Sequence, residues 1–403
     1  MRRRESYASR ARPLAAFILL SLVSLLSDTA YEGARGVLGP YTRILQASML
    51  VAGGLMIGEL VGQLVRAATG GIVYKLHTPR ALWGLTLAGY IVNLVAVPLL
   101  ALVGRWEEAL ALVIVERAGK GLRAPARDVI LAEIAEKTRG LGAHRAFALH
   151  ELADQVGAVL GPLMIAVAAS HAGVRTGLAL TAIPAGLALA ALALAIYYYP
   201  SPGAPARSGQ SGKAPRRLLL AAAGIGLSLA PLPAWPVATY NLEPARAAGL
   251  YSAAMAADAL AALAVGELAR RKGLASISSI PVLGLATGLL LAVALSKGGN
   301  WIILFAVSWG ITMGAYEVLS RSSVAVMLRG PGARGLAYGV LGLSTAIAML
   351  ASGLGYASVI PALGPLGAIL TAIILATPGP ALLIASLARG DPRKAGASPN
   401  RPR

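Results

Sequence analysis

The sequence has no cysteine, and only four histidines among 403 residues. Without cysteine there is neither a disulfide nor a thiolate metal site. His77, His144, His150 and His171 lie too far apart in sequence to suggest a metal centre. Charge is also scarce. Asp, Glu, Lys and Arg make up 13% of the chain, about half the ~25% of a soluble globular protein. No ATP-binding motif is present, which argues against direct ATP hydrolysis. No clustered histidines, metal site or activated serine suggests a membrane-embedded enzyme. No cofactor is expected.

What the chain has in abundance is apolar residues, at 57% with a mean hydropathy of +0.69. They fall into about twelve stretches of roughly twenty residues, enough for a helix to cross a ~30 Å hydrocarbon core. The expected spans are 14–33, 45–68, 80–103, 107–123, 145–169, 176–199, 218–240, 246–269, 276–296, 300–320, 335–358 and 365–388. The chain therefore reads as an all-α, polytopic membrane protein with the lipid bilayer as a partner. Its 47 glycines suit helices that pack closely in lipid through small residues. The basic N-terminus, MRRRESYASRAR, precedes the apolar run 14–26 without a small-residue cleavage site. It reads as the start of an uncleaved first span rather than a signal peptide.

The net charge of +19 would point to nucleic acid in a soluble protein. Here the basic residues fall mostly in alternate loops, so topology is the simpler cause, and nucleic acid is not an expected partner. One side holds Arg2, Arg3, Arg4, Lys75, Arg80, Arg123, Arg127, Lys137, Arg139, Arg207, Lys213, Arg216, Arg217, Arg270, Arg271, Lys272, Arg329, Arg334, Arg393 and Lys394. The other holds Arg35, Arg43, Arg105, Arg175, Arg246 and Lys297. The asymmetry predicts cytoplasmic termini in a multi-pass plasma-membrane protein. Residues 200–217 (PSPGAPARSGQSGKAPRR) can form neither a core nor a span and read as a cytoplasmic linker. The expected organisation is a six-helix bundle over 1–199, the linker over 200–217, a second six-helix bundle over 218–390 and a basic cytoplasmic tail over 391–403.

The halves echo each other. GGIVYKLHT (70–78) follows the second span as VGELARRKG (265–273) follows the eighth. AFALHELADQVGAVLGP (146–162) parallels AYGVLGLSTAIAMLASG (337–353). Each half begins inside, so the repeat is parallel, about an axis along the membrane normal.

With these features the chain resembles the major facilitator superfamily. Its signature G-x-L-A-D-R-x-G-R-K is matched by Gly266, Leu268, Ala269, Arg271 and Gly273, next to Arg270. The first copy keeps Gly71 and the basic Lys75 and Arg80, with Lys75 where the aspartate belongs. In the family that aspartate latches the inner gate, and here neither copy has it. R-x-x-Q-G in the fourth helix looks like Arg117, Gly119, Lys120 and Gly121, with lysine for glutamine. G-x-x-x-G-P is met by Gly157, Gly161 and Pro162 and is loosely linked to antiporters. SDTAYEGARGVLGPY (27–41) and RAGKGLRAPARD (117–128) look like a prokaryotic permease branch resembling drug/proton antiporters. The resemblance implies two rocking bundles, a midplane site and a monomer.

A charge near the bilayer centre costs at least ~2.5–3.5 kcal/mol, so such residues usually face a cavity or a partner. Asp28 and Glu32 share a face of the first helix. A carboxylate in a low-dielectric cavity holds a proton more readily than one in water, which suits Asp28 to proton loading. Glu32 either lines the cavity or already sits in the external loop. Glu116, Lys120, Arg123 and Arg127 form a stripe on the fourth helix, with Arg117 beside it. Glu116 and Arg117 are expected in proton coupling, unless Glu116 merely neutralises Lys120. Arg123 and Arg127 read as cytoplasmic-end anchors, to which Asp154 could pair when the inner gate is closed. Glu59 either relays protons or bridges helices. In the second half, Pro231, Pro233 and Pro236 break the seventh helix and bring Trp235, Tyr240 and Asn241 to a cavity. Trp309, Thr312, Tyr316 and Glu317 on the tenth helix suit an amphiphilic or cationic ligand. Asp258 is a lone acid without an assignable partner.

These residues point to secondary active transport of a small molecule, coupled to protons. Acids and aromatics favour export of a lipophilic cation. The Arg117–Lys120–Arg123 stripe instead favours an organic anion taken up with protons. A non-transporting sensor or a lipid scramblase is the alternative of another class.

Overall fold

The computed structural model describes residues 2–76, 78–138, 142–202, 215–272, 277–327 and 331–388, with side chains for 12–76, 78–138, 145–202, 215–267, 277–327 and 334–386. Gly273, most of the linker and the basic tail therefore lie outside the described residues, as do the side chains of Arg270 and Arg271.

Every described regular element is helical: α1 (Arg2–Ile44), α2 (Met49–Gly54), α3 (Ile57–Lys75), α4 (Pro79–Leu99), α5 (Trp106–Lys137), α6 (Gly142–Ala172), α7 (Val174–Leu180), α8 (Ala182–Tyr198), α9 (Arg216–Leu227), α10 (Trp235–Ala238), α11 (Pro244–Lys272), α12 (Ser279–Lys297), α13 (Trp301–Met327), α14 (Pro331–Leu375) and α15 (Pro378–Ala388), with short 3₁₀ turns between some of them. Local chemistry sets several boundaries. Thr78 caps α4 by accepting a hydrogen bond from the Ala81 amide at 3.3 Å, with Pro79 in the first turn. Gly364, at φ 53° inside the range of α14, turns the chain back on itself. An L side chain pays for that conformation and glycine does not.

Among the described residues, nine stretches are long and apolar enough to cross a membrane. One of them, Arg334–Ser386, spans 53 residues and folds at Gly364, so it supplies two crossings. The remaining two of the expected twelve are α5 and the α9–α10 pair. The first is less apolar than the others because it carries Glu116, Arg117, Lys120 and Arg123, and the second is broken into two short helices.

Several expected spans are too short, the first and the fourth most of all. The first is expected over 14–33, but α1 runs on to Ile44. The fourth is expected to end at Arg123, but α5 continues to Lys137. In both cases the charged residues taken as loop or anchor are paired or stacked inside the bundle, so charge does not mark the helix end.

The surface supports a lipid environment. Leu263 is 77% exposed, Ile374 and Ile384 66%, and Leu152 60%. In water, exposed apolar area costs about 25 cal/mol per Å²; against lipid tails it costs nothing. Helix association then rests on close packing and on polar contacts. Gly53 on α2 and Gly353 on α14 meet in this way across the two halves. A Cβ on either would collide with the other's backbone carbonyl.

Below, the side where the linker joins is the linker side and the other is the far side. The far side is closed by contacts between the halves. Trp235 donates to the Gly36 carbonyl at 3.1 Å, Arg43 to Leu242 at 3.5 Å and Tyr240 to Ala47. On the linker side, Arg321 and Glu151 approach at 4.0 Å with both side chains largely exposed.

Candidate functional site

The break between α9 and α10 builds one wall of the site. Proline removes backbone donors and leaves carbonyls to satisfy. Here the carbonyl of Pro231 accepts from Tyr356 at 2.6 Å, that of Leu232 from Ser352, and that of Pro233 from the Trp309 indole at 2.9 Å. The chain re-enters as α10 with Trp235 buried against Tyr251 (ring centroids 4.9 Å), Trp309 (5.3 Å) and Phe305 (6.2 Å). This aromatic wall comes entirely from the second half.

The opposite wall is a chain of charges from the first half. Glu32 accepts from Arg35 at 2.9 Å. Arg35 also pairs with Glu59 on α3. The same Glu59 oxygen takes Arg117 Nε at 3.1 Å, and Arg117 in turn pairs with Glu116 at 3.1 Å. Asn93 on α4 closes the series, donating to Glu116 Oε1 at 2.6 Å. Tyr251 joins the two walls by donating to Glu32 Oε2 at 2.7 Å. Between them lies a cavity of about 40 Å³, lined by Arg35, Glu59, Trp235, Tyr251, Trp309 and Met313 among others. It has room for one or a few waters; ligand sites are about 300–1,000 Å³. The site is therefore closed down in this conformation and has to widen to admit a solute.

Buried pairs of this kind do little for net stability, because desolvation costs several kcal/mol per ion. Removing one partner, however, costs about 3–5 kcal/mol, since the other is left buried and unpaired. The geometry is thus stiff against loss of a charge and sensitive to any change in charge state.

Two more cations flank the series. Lys120 donates to the Tyr31 hydroxyl at 2.9 Å and lies 4.2 Å from its ring centre. Arg123, 1% exposed, sits 4.1 Å over the Tyr90 ring and 5.9 Å over Tyr31. Its Nε and Nη1 are buried without a hydrogen-bond partner among the described residues.

Several expectations are corrected. Glu32 is not in an external loop; it is buried within α1. Arg35 is not a loop residue either, and is the central cation that sequence reading missed. Its signal was the three-residue spacing from Glu32 in a helix without a break before Pro40. Tyr251, Tyr31 and Asn93 were missed too; Asn93 is the polar interruption of an otherwise apolar helix face. Glu116 pairs with Arg117 and Asn93, not with Lys120. Arg123 is not a surface anchor. Arg127 pairs with Asp128 at 2.8 Å, and Asp154 Oδ1 has no partner in this conformation among the described residues.

In the second half, Trp235 and Trp309 line the cavity, but five expected neighbours do not. Tyr240 lies at the far end, bonded to Ala47, and Asn241 lines a separate far-side recess of about 110 Å³. Thr312 bonds Thr287 at 3.0 Å between α12 and α13, and Tyr316 bonds Thr345. Glu317, more than two turns beyond Trp309, does not line the cavity either. Asp258 is buried with Oδ1 unpartnered among the described residues, against Gly314.

Asp28 is buried on α1 against Gly157 of α6. Gly157 and Gly161 let α6 press onto the backbone of α1 at Leu25 and Thr29, a contact inside the first half, and Pro162 follows within the same helix. Gly71 and Lys75 lie at the exposed end of α3, and Gly266 near Val318 towards the end of α11.

Comparisons with known proteins agree with this architecture. An uncharacterized protein of Mycobacterium tuberculosis is 34% identical over 351 residues, covering 81% of this chain and 83% of the relative. A counterpart in Mycobacterium bovis matches to the same extent, at 34% identity. Among solved structures, a POT family transporter in complex with a thioalcohol-conjugated peptide superposes with a TM-score of 0.69 at 15% identity, covering 93% of this chain and 96% of that one. The nucleoside transporter NupG gives 0.70 at 13% identity, covering 93% and 100%. The sequence profile described as Major Facilitator Superfamily matches residues 20–353. With an all-helical membrane fold, a charged and aromatic site between its halves and this match over most of its length, the chain belongs to the Major Facilitator Superfamily, a family of transporters rather than enzymes.

Proposed function

We propose that this protein is a proton-driven secondary transporter of a small molecule, working by alternating access. Residues 1–199 and 218–390 act as the two bundles, with 200–217 as cytoplasmic linker and 391–403 as cytoplasmic tail in the plasma membrane. The observation that carries the reading is the Tyr251–Glu32 hydrogen bond, which ties the aromatic wall of one half to the charge chain of the other at 2.7 Å. Every carboxylate in that chain is shared. Glu32 holds Arg35 and Tyr251, and Glu59 holds Arg35 and Arg117. A proton arriving on either one releases a cation to its other partner and loosens the contact between the halves. Asp28, one turn from Glu32, is the neighbouring proton site.

The far side is closed here by contacts between the halves, so the cycle has to open it. Export of a lipophilic cation is the direction that the G-x-x-x-G-P stretch suggests. The second reading, uptake of an organic anion with a proton, is favoured by one observation: two guanidiniums, Arg35 and Arg117, converge on Glu59 at the cavity wall. The test is proton movement in proteoliposomes under an imposed solute gradient, screening lipophilic cations and small organic anions. Solute-dependent proton flux that disappears in Glu59→Gln and Asp28→Asn is expected. Solute flux unaffected by a pH gradient and by both substitutions would exclude proton coupling.

A further inference from the structure

We infer that Glu59 occupies the place of the substrate's own charge, and that the substrate is a small organic monoanion with an aromatic or otherwise flat apolar body. The inference rests on the proton-coupled reading above. Three observations meet at this point. First, Glu59 Oε1 is held from two helices at once, by Arg35 of α1 and by Arg117 Nε at 3.1 Å from α5. Glu59 is 18% exposed in its side chain and Arg35 20%, and both line the cavity, whereas Arg117 is 6% exposed and sits behind Glu59. The carboxylate thus stands between the cavity and the deeper arginine.

Second, the carboxylates of the series and the cations nearest them balance when all are ionised: Glu32, Glu59 and Glu116 against Arg35, Arg117 and Lys120. Protonation of Glu59 leaves one positive charge in excess, and a single anion restores the balance. Uncompensated charge in a low-dielectric site is the costly state, so proton and anion occupy the site together. Planar guanidinium forks bind carboxylates through paired N–H donors, which a point-charge ammonium does not match.

Third, the facing wall is Trp235, Tyr251 and Trp309, with Met313 and Met349 completing it. Flat rings and polarisable thioethers take up a flat apolar body. Rings of this kind also accept cations, but a cation here would lie beside Arg35.

The exchange balances simply. Glu59 takes one proton from water, its ion pairs with Arg35 and Arg117 break, and the ligand carboxylate forms the replacements. No covalent bond changes. Equilibrium binding to the purified full chain in detergent tests this, with radiolabelled benzoate, phenylacetate and cinnamate against the amine counterparts benzylamine and phenethylamine. Weakly buffered solution reports proton exchange. Expected are carboxylate binding over amine binding, uptake of a proton as a carboxylate binds, and loss of affinity by about tenfold or more in Arg35→Gln. In Glu59→Gln, carboxylates bind tighter at neutral pH and the proton uptake disappears. Should Arg35→Gln fail to fold, Glu59→Gln still decides, because it is expected to gain affinity. Amine binding in preference to carboxylate, with proton release that Glu59→Gln abolishes, would overturn the anionic class and leave proton coupling standing. Absence of carboxylate binding in both the wild type and Glu59→Gln would likewise overturn it. Carboxylate binding without proton exchange in the wild type would overturn the displacement of Glu59 and the coupling reading with it.

Discussion

Tyr251 of α11 donates its hydroxyl to Glu32 of α1 at 2.7 Å, and with this bond the second half of the chain touches the charge series of the first. A hydrogen bond to a charged group contributes about 1.5–3 kcal/mol. Tyr251→Phe removes that donor while keeping the ring against Trp235 and Trp309. Transport in proteoliposomes should fall by about tenfold or more, following the factor of ten per ~1.4 kcal/mol. Circular dichroism should show an intact helical fold.

Arg35 is the cation shared by two carboxylates, so Arg35→Gln strands Glu32 without its ion pair and leaves Glu59 with Arg117 alone. The expected loss is about 3–5 kcal/mol, read as a lowered midpoint of thermal unfolding in detergent. Adding Glu59→Gln to Arg35→Gln removes the surplus negative charge and should recover part of that loss. A double variant less stable than the single one would mean that Arg35 acts by packing rather than charge.

Gly53 and Gly353 meet backbone to backbone where the far side closes. Gly353→Leu should hold that side apart. Because the chain has no cysteine, one introduced thiol reports without background. Ala238→Cys, 8% exposed in the far-side recess, should resist maleimide alone and react readily when combined with Gly353→Leu.

The Glu151–Arg321 pair on the linker side is a weak tie, at 4.0 Å with side chains 49% and 63% exposed. Exposed pairs contribute about 0–1 kcal/mol and fade with salt. Glu151→Gln should leave the unfolding midpoint nearly unchanged at moderate ionic strength, a measurement that separates this contact from the buried series.

The fold was largely legible in the sequence because a span announces itself by about twenty apolar residues, whatever its partners. Span ends were legible only where charge meant water. Arg35 and Arg123 look like loop and anchor residues, yet one is paired with two acids and the other lies over Tyr90. The first-half site was partly readable, since Glu59, Glu116 and Arg117 are expensive in lipid and had to converge on something. The second-half wall was readable at Trp235 and Trp309 but not at Tyr251, a single tyrosine in an alanine-rich helix with no periodic signal. Tyr240 and Asn241 were misplaced because the proline break re-aims the chain: Trp235 enters the cavity, and the residues after α10 leave for the far end.

The break between α9 and α10 has a further consequence. Its three carbonyls left out of the helix ladder are each held by a side chain from α13 or α14, through Trp309, Ser352 and Tyr356. Those donors are fixed to their own helices and reach across to a backbone that lacks a ladder. The joint is therefore articulated rather than fused. A tilt of α10 can trade one donor for another, with lipid kept out and little apolar area uncovered. Motion there is resisted mainly by bond enthalpy, so the rate of opening should depend steeply on temperature even where the resting affinity does not.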